Sequence, residues 1–193
     1  MLPPPERFDL PGLCLRLLRA SDALAIFEGY ARHPEVLRYM AWPPPRALAD
    51  TAAYLASVRD DAERGTGFTY ALLPAGATAL QGGIGFTLHG GTASFGYVLA
   101  PAYWGRGLVV AAFAALGDWL LAQPSIYRVE AFCHTDNRRS ARVMEKAGLA
   151  FEGRLRRHAV YPNLSAEPLD SLMYARVRPA VTGNGTVKHD EEN

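Results

Sequence analysis

Apolar and polar positions alternate over Leu13–Leu18, with Leu13, Leu15 and Leu17 on one face, and this period of two predicts a first strand. Ala20-Ser21-Asp22 then supplies a helix-capping cluster ahead of the amphipathic run ALAIFEGYA. Pro34 opens a short helix, PEVLRYM, and Trp42-Pro43-Pro44-Pro45 follows as a stiff extended loop, because consecutive prolines exclude helix. A second long helix is predicted from about Ala47 to Glu63, ending near Gly65 and Gly67.

The pattern then turns to strands. Phe68–Leu73 and Ala79–Leu88 flank Pro74-Ala75-Gly76, and Gly90-Gly91 marks a second reversal before Ala93–Leu99. Short turns between three strands predict an antiparallel meander. An apolar helix is expected over Leu108–Ala122, a strand over Tyr127–Cys133 and a helix over Asn137–Ala147 that stops at Gly148. Strands over Leu149–Arg154 and about Leu169–Val177 complete an α/β domain with a mixed sheet. Residues 1–179 read as one domain, and the polar, Gly-containing tail 180–193 reads as disordered.

Composition narrows the classes. The 193 residues are 49% hydrophobic and 20% charged, enough apolar matter for a sizeable core. The net charge of +1 speaks against a nucleic-acid-binding domain, which would be far more basic. The longest apolar stretch is interrupted by Gly117 and Asp118, and the Pro-rich start lacks the basic-then-apolar order of a secretion signal. A soluble cytoplasmic protein away from membranes is expected. Two cysteines, Cys14 and Cys133, sit in apolar runs and read as buried free thiols. The five histidines contain no helical i, i+4 pair, so no metal is expected.

Chemistry concentrates in two segments. In SFGYVLAPAYWGRGLVV a strand runs through a Gly-containing loop into an apolar helix. Free amides at a helix N-terminus, with glycines allowing close approach, suit a diphosphate, although the loop alone also reads as an ordinary strand–helix turn. It is neither a P-loop nor a dinucleotide fingerprint, since no Gly-Lys-Ser/Thr follows and position 110 is Val. In RVEAFCHTDNRRSARVMEKAGLAFEG a strand, a polar turn and a helix carry Asn137 and Ser140.

Together YVLxPxYWGRG and NxxSxxVMEKAGLxFEG resemble the cofactor-binding half of the GNAT acyl-CoA N-acyltransferases. LCLRLLRASDALAIF, RYMAWPPP and HAVYPNLSAEPLDSLMYARV extend the likeness to the branch of bacterial ribosomal-protein N-terminal acetyltransferases. The resemblance implies a mostly antiparallel seven-stranded sheet with a V-shaped splay and about four flanking helices. It implies acetyl-CoA as co-substrate and a primary amine as acceptor, either a protein N-terminus or a small molecule, and it leaves a homodimer open.

By the same resemblance the pyrophosphate loop falls on Trp104–Val109, with amides of Gly105, Gly107, Leu108 and Val109 as donors and Arg106 in reach of phosphate. Trp104 and Val109 depart from the family's polar first and small last positions. Tyr97, Val98 and Leu99 would line the acyl end, an N–H of Val98 or Leu99 polarising the thioester. Asn137 would contact the cofactor, and Ser140 would lie beside the sulfur, able to protonate the leaving thiolate. Tyr39 and Trp42 fall in the acceptor wall. No glutamate matches the base of the branch. His158 is the nearest titratable group, with Glu130 and His134 as other candidates and a water relay as a further route. Arg138, Arg139 and Arg142 suit a nucleotide phosphate, or simply a solvated face, as do Arg154, Arg156 and Arg157. The missing glutamate keeps open a second class, an acyl-CoA-binding sensor without turnover.

Overall fold

The computed structural model describes residues 3–179; the tail assigned to 180–193 lies outside the described residues. Eight strands form one sheet: β1 (Arg7–Leu10), β2 (Leu13–Leu17), β3 (Gly67–Pro74), β4 (Gly82–His89), β5 (Thr92–Leu99), β6 (Arg128–His134), β7 (Ala150–Val160) and β8 (Pro168–Val177). Their order is β1-β2-β3-β4-β5-β6-β8-β7. All neighbours are antiparallel except β5 and β6. Five α-helices flank the sheet: α1 (Ala23–Gly29), α2 (Pro34–Leu37), α3 (Leu48–Arg64), α4 (Leu108–Leu121) and α5 (Arg138–Lys146).

The sheet thus has eight strands rather than seven. The additional one is β1, a four-residue edge strand joined to β2 through Pro11-Gly12, with Leu10 opposite Leu13. Proline at the first and glycine at the second central position, Gly12 at φ +73°, suit a tight reversal. The helix count is five rather than about four because Pro34–Leu37 stands as a separate single turn. β7 runs to Val160, well past Arg154, because two irregularities absorb its extra residues without ending its pairing with β8.

The pleat sorts the core onto two faces. Tyr70, Leu72, Ile84, Phe86, Phe95 and Leu99 point to the side covered by α4 and α5, where Val109, Ala112, Phe113, Leu116 and Leu120 return at helical spacing. The Phe95 and Phe113 rings stack at 4.2 Å, fixing α4 over β5. Ala71 and Val98 point the other way, to a smaller cluster with Ile26, Tyr30 and Leu55 from α1 and α3.

One feature of the register positions the site. β5 and β6 pair only over Thr92–Phe95 and Arg128–Ala131. Beyond that, β5 continues to Leu99 against β4, and β6 continues to His134 against β8. The two strands therefore part, and a gap opens between Gly96–Leu99 and Phe132–His134.

Candidate active site

A cleft of about 2010 Å³ passes through this gap from the α4/α5 face to the α1/α3 face. On the first face it is bounded by the strand–helix loop before α4. Gly105 and Gly107 both take φ +76°, a left-handed conformation that costs a residue with a side chain about 1–2 kcal/mol. The first backbone bond into α4 is Ala111 N–H to the Gly107 carbonyl, so the amides of Leu108, Val109 and Val110 have no intrahelical acceptor. An added Cβ at Gly105 or Gly107 would meet nothing within 4 Å, which leaves the approach to those amides open. The lining adds Arg138, Arg139, Arg142 and Lys146 from α5, and the Arg139 guanidinium lies 4.8 Å from the Trp104 ring. Free amides and clustered cations suit a polyanion; the residues fit a coenzyme diphosphate and nucleotide phosphate.

The gap holds the groups suited to acyl chemistry. The Val98 carbonyl is directed at Gly82 of β4, so by strand alternation the backbone groups of Tyr97 and Leu99 face the gap. Of the two predicted oxyanion donors, Leu99 is the one turned inward. Its carbonyl accepts the Trp104 Nε1–H at 2.7 Å, which pins the loop to the strand end. Asn137 caps α5, its Oδ1 accepting the Ser140 N–H at 3.2 Å. This sets Ser140 on the first turn, where its Oγ lies 2.6 Å from the Tyr97 hydroxyl. Burial pushes the Tyr97 phenol well above its ordinary range, so it stays protonated. Cys133 lines the same cavity, buried, with Sγ donating to the Asn137 carbonyl at 3.7 Å. Burial pushes its thiol up to about 11, a poor nucleophile at neutral pH. Cys14 is only half-buried.

The candidate bases are placed differently. His158 is exposed within the β7 irregularity, its ring edge-on to Phe132 at 4.7 Å and outside the cleft lining. Glu130 accepts the Ser94 hydroxyl at 2.8 Å and the Arg128 Nε–H at 2.6 Å, so it is committed to a salt bridge. His134 is buried, stacked on Tyr39 at 5.3 Å and edge-on to Tyr161, its Nδ1 accepting the Asp136 N–H at 3.1 Å. The predicted Arg106 also stays off the cleft, over the Tyr103 ring at 4.8 Å. Arg154 and Arg157 pair on the β7/β8 surface with Asp170 and Glu167.

On the α1/α3 face, Tyr39 and Trp42 line the cleft. Asn163, which the sequence did not single out, donates its Nδ2–H groups to the Leu37 and Trp42 carbonyls at 2.8 and 2.9 Å.

Comparison with known proteins bears on the family and the fold. The family description "Acetyltransferase (GNAT) domain" matches residues 12–150. The uncharacterised N-acetyltransferase YoaA of Bacillus subtilis (strain 168) is 26% identical over 170 residues, 86% of this chain and 94% of the relative. Among solved structures, RimL, a ribosomal L7/L12 alpha-N-protein acetyltransferase in complex with coenzyme A, superposes with a TM-score of 0.80. It is 21% identical, and the match covers 89% of this chain and 98% of that one. The microcin C7 self-immunity acetyltransferase MccE, in complex with acetyl-CoA and AMP, gives 0.79 at 20% identity over 87% of this chain and 93% of its own.

Proposed function

Because the chain belongs to the GNAT acetyltransferase family, we propose that it moves an acetyl group from acetyl-CoA to a primary amine, by direct attack within a ternary complex. The amine is a protein N-terminus or the amino group of a small molecule. The observation that carries this reading is the parting of β5 and β6 beside an α4 N-terminus whose amides lack acceptors.

The co-substrate supplies an activated thioester. The amides of Gly105, Gly107, Leu108 and Val109, with Arg138, Arg139 and Arg142, hold its phosphates. The pantetheine lies along the open edge of β5, and the Leu99 N–H donates to the thioester oxygen as charge develops there. The Tyr97 hydroxyl donates to Ser140 Oγ, which leaves the Ser140 proton free to pass to the departing sulfur. The acceptor enters from the Tyr39 and Trp42 side. The amine arrives deprotonated or loses its proton to water at the gap.

Calorimetric titration with coenzyme A and thiol release from acetyl-CoA over an amine panel test this reading. Saturable binding with amine-dependent release is expected. Binding without release from any amine would leave only a sensor, and absent binding would remove the proposal.

A further inference from the structure

Past the last β5–β6 pair the edge of β5 has lost its neighbour, and its backbone groups need other partners. At Leu99 one side chain provides the partner. The Trp104 Nε1–H reaches back to the Leu99 carbonyl at 2.7 Å. On the far side of the same peptide, the Ala100 N–H donates to the Gln81 carbonyl at 2.7 Å. That peptide plane is clamped from both directions, which sets the ψ of Leu99 and with it the direction of the Leu99 N–H.

The face of the indole is occupied as well. The Arg139 guanidinium lies 4.8 Å from the ring and makes no ion pair among the described residues. A loop clamp needs the N–H alone; the seated cation needs the face. A carboxylate would hold the guanidinium by cancelling its charge, whereas an aromatic face holds it and leaves its N–H donors free. Arg139 lines the cleft from the first turn of α5, beside Ser140 and between Arg138 and Arg142. An anion in the cleft is the partner those free donors suit.

The ring between these two contacts is held in place. Pro101–Tyr103 form a single 3-10 turn, and the Trp104 N–H bonds to the Pro101 carbonyl at 3.1 Å. The side chain is half-buried against the larger core. It stands as a stiff spacer between α5 and the end of β5, across the gap where β5 and β6 have parted.

We propose that Trp104 is a positioning residue with two separable parts. Its edge sets the Leu99 N–H against the thioester, and its face seats Arg139 for a cofactor phosphate. One rigid ring then fixes the span between the phosphate grip on α5 and the acyl end of β5. This inference rests on the acetyltransferase reading above.

The test separates edge from face. Trp104→Phe keeps an aromatic face and loses the N–H; Trp104→Gln keeps an N–H of similar reach and loses the face. Each is set against wild type by coenzyme A calorimetry and by kcat for thiol release from acetyl-CoA with the best amine of the panel. Trp104→Phe should lower kcat about three- to tenfold, the range for one hydrogen bond, with coenzyme A affinity within about twofold of wild type. Trp104→Gln should bind coenzyme A about two- to fivefold more weakly, with kcat nearer wild type than in Trp104→Phe. That affinity loss should vanish in an Arg139→Ala background, where the seat has no occupant. A ring that only supports the fold would lower kcat, affinity and Tm together in both variants, and this result would overturn the proposal. So would an unchanged kcat in Trp104→Phe, or an affinity loss in Trp104→Gln that is the same with and without Arg139. Coenzyme A bound by the wild type with release from no amine would overturn it too. Absent coenzyme A binding by the wild type would instead sink the acetyltransferase reading itself.

Discussion

The smallest unit on which the proposed chemistry turns is the Tyr97–Ser140 pair. A serine hydroxyl alone is a weak acid, and a solvated one would donate indifferently to water. In the proposed mechanism the phenol, held protonated by burial, donates to Oγ across the 2.6 Å contact, in place of the Ser140 carbonyl at 3.2 Å that it can also reach, and so leaves the serine proton free for the sulfur. Ser140→Ala should therefore lower kcat by on the order of a hundredfold while coenzyme A affinity changes little. Tyr97→Phe should reproduce part of that loss, since Oγ stays but its orientation does not. Steady-state kinetics beside calorimetry makes the separation. Equal losses in kcat and affinity, or full turnover in Ser140→Ala, would remove the acid role.

Among the elements, the entry to α4 is the most exposed to substitution. Gly107 is its N-cap at φ +76°, with open space where a Cβ would go, so alanine there is resisted by backbone conformation and not by contact. Gly107→Ala should cost about 1–2 kcal/mol in denaturant unfolding. It should weaken coenzyme A by a larger factor than a neutral surface change, because the loop amides shift with it. The turn before α1 gives a pH signature. Burial would raise the Asp22 carboxyl, but the Arg16 guanidinium, at 2.7 and 2.8 Å, and the Arg19 N–H outweigh it and hold the group below its usual range. A depressed native pKa contributes stability above the unfolded value and loses it as pH falls through the native one. Asp22→Asn should thus lower stability by about 2–3 kcal/mol near neutrality, discounted for the partial exposure of Arg16. The gap in Tm should close below about pH 4 as the wild-type carboxyl protonates. A gap constant from pH 3 to 7 would contradict it. These elements also show what sequence could supply. Period-two and helical patterns located β3 to β6, α3, α4 and α5 because each buries one face. They missed β1, a half-exposed edge strand whose Pro11-Gly12 turn was its main signal, and they stopped β7 early because its irregularities break the alternation. The loop proposed for the cofactor was legible because its amides are local to one motif. Asn163 was not, since its two bonds depend on carbonyls brought near only by the sheet.

For the whole molecule, the site is a property of how two halves of one sheet stay joined while parting. Strands β1 to β5 meet β6 to β8 through only four register pairs, Thr92–Arg128 to Phe95–Ala131, before the gap begins. The proposed function requires the halves to be held on the far side of the gap, so that the proposed acceptor wall keeps its place against the thioester. Asn163, in the β7–β8 connection, reaches 126 and 121 residues back in the chain to the Leu37 and Trp42 carbonyls, tying the second half of the sheet to the segment between α2 and α3. Both bonds need its N–H groups, so Asn163→Asp keeps the size and removes the tie. The loss of two partly buried bonds should cost about 1–3 kcal/mol of stability. It should raise acceptor KM and speed amide exchange at residues 38–42, while coenzyme A, held by α4 and α5, binds as before. If acceptor and coenzyme A affinities fell together, Asn163 would be supporting the fold at large. If neither moved, the stiffness of Trp42-Pro43-Pro44-Pro45 would suffice to hold the wall.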